Sequence, residues 1–296
     1  MGRLVHVIRM QSCRLAWLSE GEFRREASDI TLGAAKNSGL RPPPRKISID
    51  AEHKNHPWCG RRRARYDGVM CGRFTLSRRD GRSLAAELGV AEDSFADYHP
   101  RYNIAPMQNH FVVTLERENR KVPPARWELA NSWARDNKRA ARCINAKAET
   151  VEKLPTFRAA FKPRRCVVPA DGFYEWRGPK GKCEPLWIHP RVGGLILFAG
   201  LYEVWRPESS IWKTTFTIIT TAANRLIEPI HNRMPVILSD RIADDRMNPN
   251  EADPLSLKRL LVAPPDDLLV VTPASPLVNS VKNEGPELLR DCDPGA

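Results

Sequence analysis

Apolar residues fall into short, evenly spaced runs from about residue 70 onward, whereas the first 69 positions show no sustained strand or helix period. Runs at 111–115, 195–201 and 216–221 are rich in Phe, Val, Ile, Leu and Thr and are separated by Gly- and Pro-containing turns, a pattern that predicts strands. Helical spacing occurs over 83–88 and 253–261, each with Ser or Asp near its start to receive the first free N–H groups. Strands and helices do not alternate regularly, and no internal repeat is visible. The expected class is therefore α+β, a curved, largely antiparallel sheet with flanking helices rather than a doubly wound fold. Two tracts in the first stretch, Arg41-Pro42-Pro43-Pro44-Arg45 and Arg61-Arg62-Arg63-Ala64-Arg65, read as linker. The expected organisation is an extension over 1–69, disordered or the product of a mis-assigned start, and one domain over 70–296.

Composition changes this picture in two ways. A length of 296 residues with 42% hydrophobic content suffices for a sizeable core. The longest apolar runs fall far short of the roughly 20 residues that span a bilayer, and Arg3, His6 and Arg9 interrupt the start. The expectation is a cytoplasmic protein, nucleoid-associated if bacterial, with no membrane partner. Seven cysteines without a CxxC pair argue for reduced thiols. His53, His56 and Cys59 offer three metal ligands without a fourth at a usable spacing, so neither a metal nor a small-molecule cofactor is expected. The net charge of +12 divides into +7 over residues 1–69 and +5 over the remainder, which permits a local patch for nucleic acid without requiring one.

Three polar segments are embedded in apolar surroundings: Asn145-Ala146-Lys147-Ala148-Glu149-Thr150, Asp171-Gly172-Phe173-Tyr174-Glu175-Trp176 and His231-Asn232-Arg233-Met234-Pro235. Burying Asn, Glu or His is costly unless each finds a partner, so these segments require either structural pairing or a site. The residues alone leave both open.

Together with Met70-Cys71-Gly72-Arg73-Phe74-Thr75, Tyr102-Asn103-Ile104-Ala105-Pro106, Trp127 with Ser132-Trp133-Ala134, and Arg164-Arg165-Cys166-Val167-Val168-Pro169-Ala170, these blocks closely resemble the SRAP family of abasic-site processing proteins. The ordered blocks extend over 70–292, which is far more specific than a lone motif. The resemblance implies a mixed α/β domain with a positively charged cleft for single-stranded DNA containing abasic sites. It further implies Cys71 as the crosslinking residue, Asn145 near its amine, Glu175 as acid/base and His231 as the active-site histidine. Arg73 and Arg233 would lie near the DNA backbone, Lys147 would hold a phosphate, and Trp127 and Trp176 would stack on bases or fill the core. The chain departs from the family pattern at Lys147, where Arg is usual, at Glu128, where Gly is usual, and in the 69 residues ahead of Met70.

An amino-terminal cysteine carries an amine and a thiol on adjacent carbons. The amine condenses with the ring-opened sugar aldehyde to an imine, and the thiol closes a five-membered thiazolidine that blocks the β-elimination an open imine would promote. That chemistry requires the Met70-Cys71 bond to be absent, through initiation at Met70 or self-cleavage. The same residues leave two rivals: a thiol peptidase with Cys71 as nucleophile and His231 as base, and a non-catalytic single-strand binding module.

Overall fold

The computed structural model describes residues 72–134, 138–179, 182–206, 211–251 and 253–289. Residues 1–71 lie outside this set, and with them the linker-like tracts, His53, His56, Cys59, Met70 and Cys71.

The strands in chain order are β1 (Phe74–Leu76), β2 (Arg101–Ile104), β3 (Asn109–Phe111), β4 (Thr114–Glu116), β5 (Asn119–Lys121), β6 (Pro124–Trp127), β7 (Asn145–Lys147) and β8 (Arg165–Ala170), followed by β9 (Gly172–Arg177), β10 (Glu184–Pro190), β11 (Ile196–Trp205), β12 (Lys213–Ala222), β13 (Arg233–Pro235), β14 (Ile237–Leu238) and β15 (Leu269–Pro273). Helices α1 (Gly81–Leu88), α2 (Pro155–Phe161), α3 (Asp240–Met247) and α4 (Pro254–Arg259) are short. The α+β class with mostly antiparallel pairing is as expected. The strands divide among a five-stranded sheet in the order β15-β10-β9-β1-β2, a larger one built on β14-β11-β12-β6-β3, to which β7, β8 and β13 attach, and the β4–β5 hairpin. Among the described residues only the β12–β6 and β12–β7 pairs are parallel.

Both predicted helices form where their caps are. Asp80 accepts the Ser83 N–H at 2.8 Å to start α1, and Gly89 ends it at φ 63°, a left-handed conformation that suits a residue without Cβ. Asp253 caps α4 through Leu255 N and Ser256 N. The run at 111–115 is not one strand: β3 ends at Phe111 and β4 begins at Thr114. Between them Val113 exchanges backbone hydrogen bonds with Val167. An uninterrupted apolar run carries no signal for such a handover, because each half is buried against a different neighbour.

The sheets meet through aromatics. Phe74 on β1 contacts Phe198 on β11 (centroids 5.9 Å) and Trp127 on β6 (5.0 Å), and Trp127 stacks on Phe216 of β12 (6.1 Å, 10°). Each of these four rings is 0–1% exposed, so each contributes on the order of 2–3 kcal/mol of burial. The chain passes from one sheet to the other at Asp171, between β8, which is wholly buried, and β9, which is buried over its first four residues. Its carboxylate accepts from Thr75 Oγ1 (2.5 Å), Ser77 N (2.5 Å) and Ser77 Oγ (2.8 Å), which fixes the corner from which the 172–176 segment departs. Gly172 follows because a Cβ there would sit 2.2 Å from Trp187 Nε1.

Candidate functional site

The polar segments singled out by sequence gather in two places. The first is the far half of β12. On one side β7 pairs with it in parallel, Asn145 opposite Ile218 and Lys147 opposite Thr220; on the other β13 pairs antiparallel, Arg233 opposite Ala222. A three-residue strand on each side of β12 thus brings residues 145, 147, 231 and 233 to one end of the sheet. Lys147 is exposed and Asn145 is half-buried. The Arg233 guanidinium crosses over β12: Nη2 donates to Thr220 O (2.6 Å) and to Glu149 Oε2 (2.9 Å), and Nη1 donates to Glu149 Oε1. This bidentate pair holds the Glu149 carboxyl below its usual pKa, chiefly through the hydrogen bonds from Arg233 and with Lys147 adding to it. His231 is half-buried at the turn into β13. Its Nδ1 receives the Arg233 N–H at 3.1 Å, and the Arg233 carbonyl oxygen lies 3.2 Å from the same nitrogen. The first contact needs a bare Nδ1 and the second a protonated one, so the Arg233 backbone orients the ring in either tautomer.

The second place is the start of β1. Phe74 lies opposite Phe173 in the antiparallel β1–β9 pair, and Tyr174 N–H donates to Arg73 O at 3.0 Å. Continued by one residue, this register sets Gly72 level with Glu175. Glu175 is 5% exposed, on a strand whose inward positions are otherwise aromatic. Arg73 Nη1 donates to Asn103 Oδ1 (2.8 Å) and Val278 O (2.7 Å), and its guanidinium lies 5.9 Å from the centre of the Trp176 ring. Burial lowers the Arg73 pKa, with Tyr174 opposing. Fully buried Asn103 is the hub, since its Nδ2 donates to Ser280 O and Asn283 O, both at 2.9 Å. The strap it fixes carries Asn279, whose Oδ1 accepts from Trp176 Nε1 at 2.7 Å.

Trp127 connects the two places and is a correction to the sequence reading. It is 0% exposed, its Nε1 donates to Ile144 O at 2.9 Å, and its faces are covered by Phe74 and Phe216, so it has no face for a base. Its neighbour Glu128 is also buried, paired with Arg126 at 3.2 Å. Among the described residues two tryptophans are strongly exposed, Trp133 (67%) and Trp212 (59%), and Trp133 stands at a groove of about 540 Å³ lined also by Lys138, Arg139, Arg142 and Cys143. This groove ends two residues before Asn145. The Ser132-Trp133-Ala134 block was visible in the sequence, but nothing local separated an exposed tryptophan from a buried one. A larger groove of about 1140 Å³ lies between α1, the β4–β5 turn and α3, and its four carboxylates, Glu87, Glu118, Asp240 and Asp244, make it a poor match for a polyanion. Among the described residues no group of three or more His, Cys, Asp or Glu could hold a metal ion, and no helix is long and apolar enough to cross a membrane. Of the described cysteines, Cys166 is fully buried and its thiol pKa is pushed far up by desolvation, the setting of an inert thiol.

Residues 70–281 match the family described as SOS response associated peptidase (SRAP). The chain is similar to the abasic site processing protein YoqW of Bacillus subtilis, 42% identical over 226 residues that cover 74% of this chain and 99% of that protein. It is also similar to the mouse abasic site processing protein HMCES, 28% identical over 234 residues that cover 66% of each. In fold it matches a crystal structure of a protein from Bacteroides thetaiotaomicron with a TM-score of 0.66 at 23% identity, covering 74% of this chain and 99% of that one.

Proposed function

The chain belongs to the SRAP family, and on that premise we propose that it processes abasic sites, binding single-stranded DNA and joining an amino-terminal Cys71 covalently to the ring-opened sugar. The observation that carries the assignment is the β1–β9 register, which runs Gly72 toward the level of the buried Glu175. Cys71 is bonded to Gly72, so its Cα lies about 3.8 Å from that of Gly72.

The amine of Cys71, with a reference pKa of roughly 7.7 to 8.0, is partly neutral near physiological pH. It adds to the C1′ aldehyde, and the resulting carbinolamine loses water to give an imine. The thiol then adds to the imine carbon and the nitrogen takes up the proton, so the adduct is DNA plus protein less one water. Glu175 supplies and takes the proton at the dehydration step, as a carboxyl removed from solvent is suited to do. Asn145 orients the amine. His231, oriented by the Arg233 backbone, gives a proton to the sugar oxygen as the ring opens. Arg73, Lys147 and Arg233 are the phosphate contacts. Trp176, fixed by Asn279 and Arg73, meets a base at the β9 end, and Trp133 with its basic groove takes over the stacking role expected of Trp127.

The amine exists only if the Met70-Cys71 bond does not, because an amide nitrogen delocalises its lone pair into the carbonyl and forms no imine. Translation from Met70 with removal of the methionine, or self-cleavage at that bond, would each expose it. The test is intact mass and terminal sequencing after incubation with single-stranded DNA carrying one abasic site. The expected product starts at Cys71, carries the oligonucleotide less one water, survives heating and is absent in Cys71→Ala. Released peptides without a DNA adduct would favour the peptidase, and neither product would leave a binding module. Native-rate crosslinking by a chain with an intact Met70-Cys71 bond would overturn the thiazolidine.

A further inference from the structure

Arg233 is the most enclosed of the cations at the far end of β12: its side chain is 12% exposed, yet its fork does not point free into solvent. Both terminal nitrogens are taken, Nη1 and Nη2 by the two oxygens of Glu149 and Nη2 also by Thr220 O. The Glu149 side chain whose carboxylate fills the fork is by contrast 52% exposed. It is carried by the turn just after β7, where Lys258 Nζ donates to the Glu149 carbonyl oxygen at 3.2 Å and to Glu152. The backbone of the turn is thus anchored by α4 while the Glu149 side chain reaches back over Thr220. A carboxylate and a phosphodiester present the same bidentate edge to a guanidinium. Lys147, two residues before Glu149 and exposed at the end of β7, supplies a second cation beside that edge.

We infer that Glu149 is an internal latch: in the free protein its carboxylate occupies the fork of Arg233, and a DNA phosphate displaces it on binding, with Glu149 swinging toward solvent. This rests on the DNA reading above and adds a regulating residue to the same site. The latch subtracts from affinity in proportion to the strength of the Glu149–Arg233 pair, so DNA lacking a phosphate at that position would leave it closed. Thr220 O and the backbone around it keep the guanidinium in place while the partner changes.

The experiment is anisotropy titration of a labelled, undamaged single-stranded oligonucleotide across a series of salt concentrations, with thermal melts to show that each variant is folded. Glu149→Gln keeps the size but loses the charge. It is expected to tighten binding about three- to five-fold and to steepen the log–log salt dependence by about 0.7, one additional net phosphate contact. Glu118→Gln, an equal charge change in the β4–β5 turn, controls for net charge and should give less than half that gain. In an Arg233→Lys background, which keeps the charge without the fork, Glu149→Gln should gain no more than Glu118→Gln does. A gain that persists in that background, a gain matched by Glu118→Gln, or a loss of affinity in Glu149→Gln would each overturn the latch while leaving the DNA reading intact. Salt-insensitive or undetectable binding by the wild-type protein would overturn the DNA reading, and the latch with it.

Discussion

The two arginines of the site are held in opposite ways. Arg73 rests on neutral acceptors, Asn103 Oδ1 and Val278 O, with the face of Trp176 nearby, so its positive charge is oriented but not cancelled. Arg233 rests on a carboxylate, so its charge is largely cancelled until something displaces Glu149. Equal arginines in a motif are therefore unequal in what they offer a polyanion. The β1–β9 end supplies a standing field beside the proposed chemistry, while the β12 end supplies a fork whose use is conditional.

The largest test of this comparison cuts the connection between the ends. Trp127 touches Phe74 of one and hydrogen-bonds Ile144, the residue before Asn145, in the other. Trp127→Ala is expected to cost about 3–5 kcal/mol in urea unfolding through the cavity it leaves. Trp127→Phe, which keeps most of the ring but strands the Ile144 carbonyl, is expected to cost about 1–3 kcal/mol. Values below 1 kcal/mol for both would return Trp127 to the surface.

Next in size is Glu175→Gln, which leaves binding groups in place and removes the proton transfer. Single-turnover crosslinking should slow by about 100-fold or more, while affinity for undamaged single strands changes less than about two-fold. Wild-type rates across the pH range would take Glu175 out of the chemistry and leave it a structural carboxylate.

The smallest effects distinguish the arginines directly. Arg73→Met should weaken single-strand binding about five-fold and reduce the salt slope by about 0.7, the signature of one lost phosphate contact. The charge-neutral double variant Glu149→Gln with Arg233→Gln should change affinity by less than about two-fold, because it removes a pair rather than a net charge. Equal losses in the two experiments would erase the distinction between a standing and a conditional cation.

The candidate site could be proposed from contiguous segments: 145–150, 171–176 and 231–235 each combine a strand with polar residues that are expensive to bury alone, and the caps at Asp80 and Asp253 announced their helices locally. Three things were not legible. Trp127 and Trp133 look alike in sequence, and only the stacking of β6 against β12 and the opposing sheet decides that one is enclosed and the other bare. The run at 111–115 is split because Phe111 pairs with Pro124 of β6, Val113 exchanges hydrogen bonds with Val167 of β8, and Thr114 begins the β4–β5 hairpin. The Glu149–Arg233 pair joins residues 84 apart in sequence, and Asn103 joins Arg73 to a strap some 175 residues beyond it. Local periodicity and capping act over a few residues and fix which elements form, whereas burial and charge pairing depend on which surfaces meet. The sequence by itself therefore determined the class of fold and the set of chemical groups, and the tertiary structure decided which of those groups is exposed, which is paired and which is held in reserve.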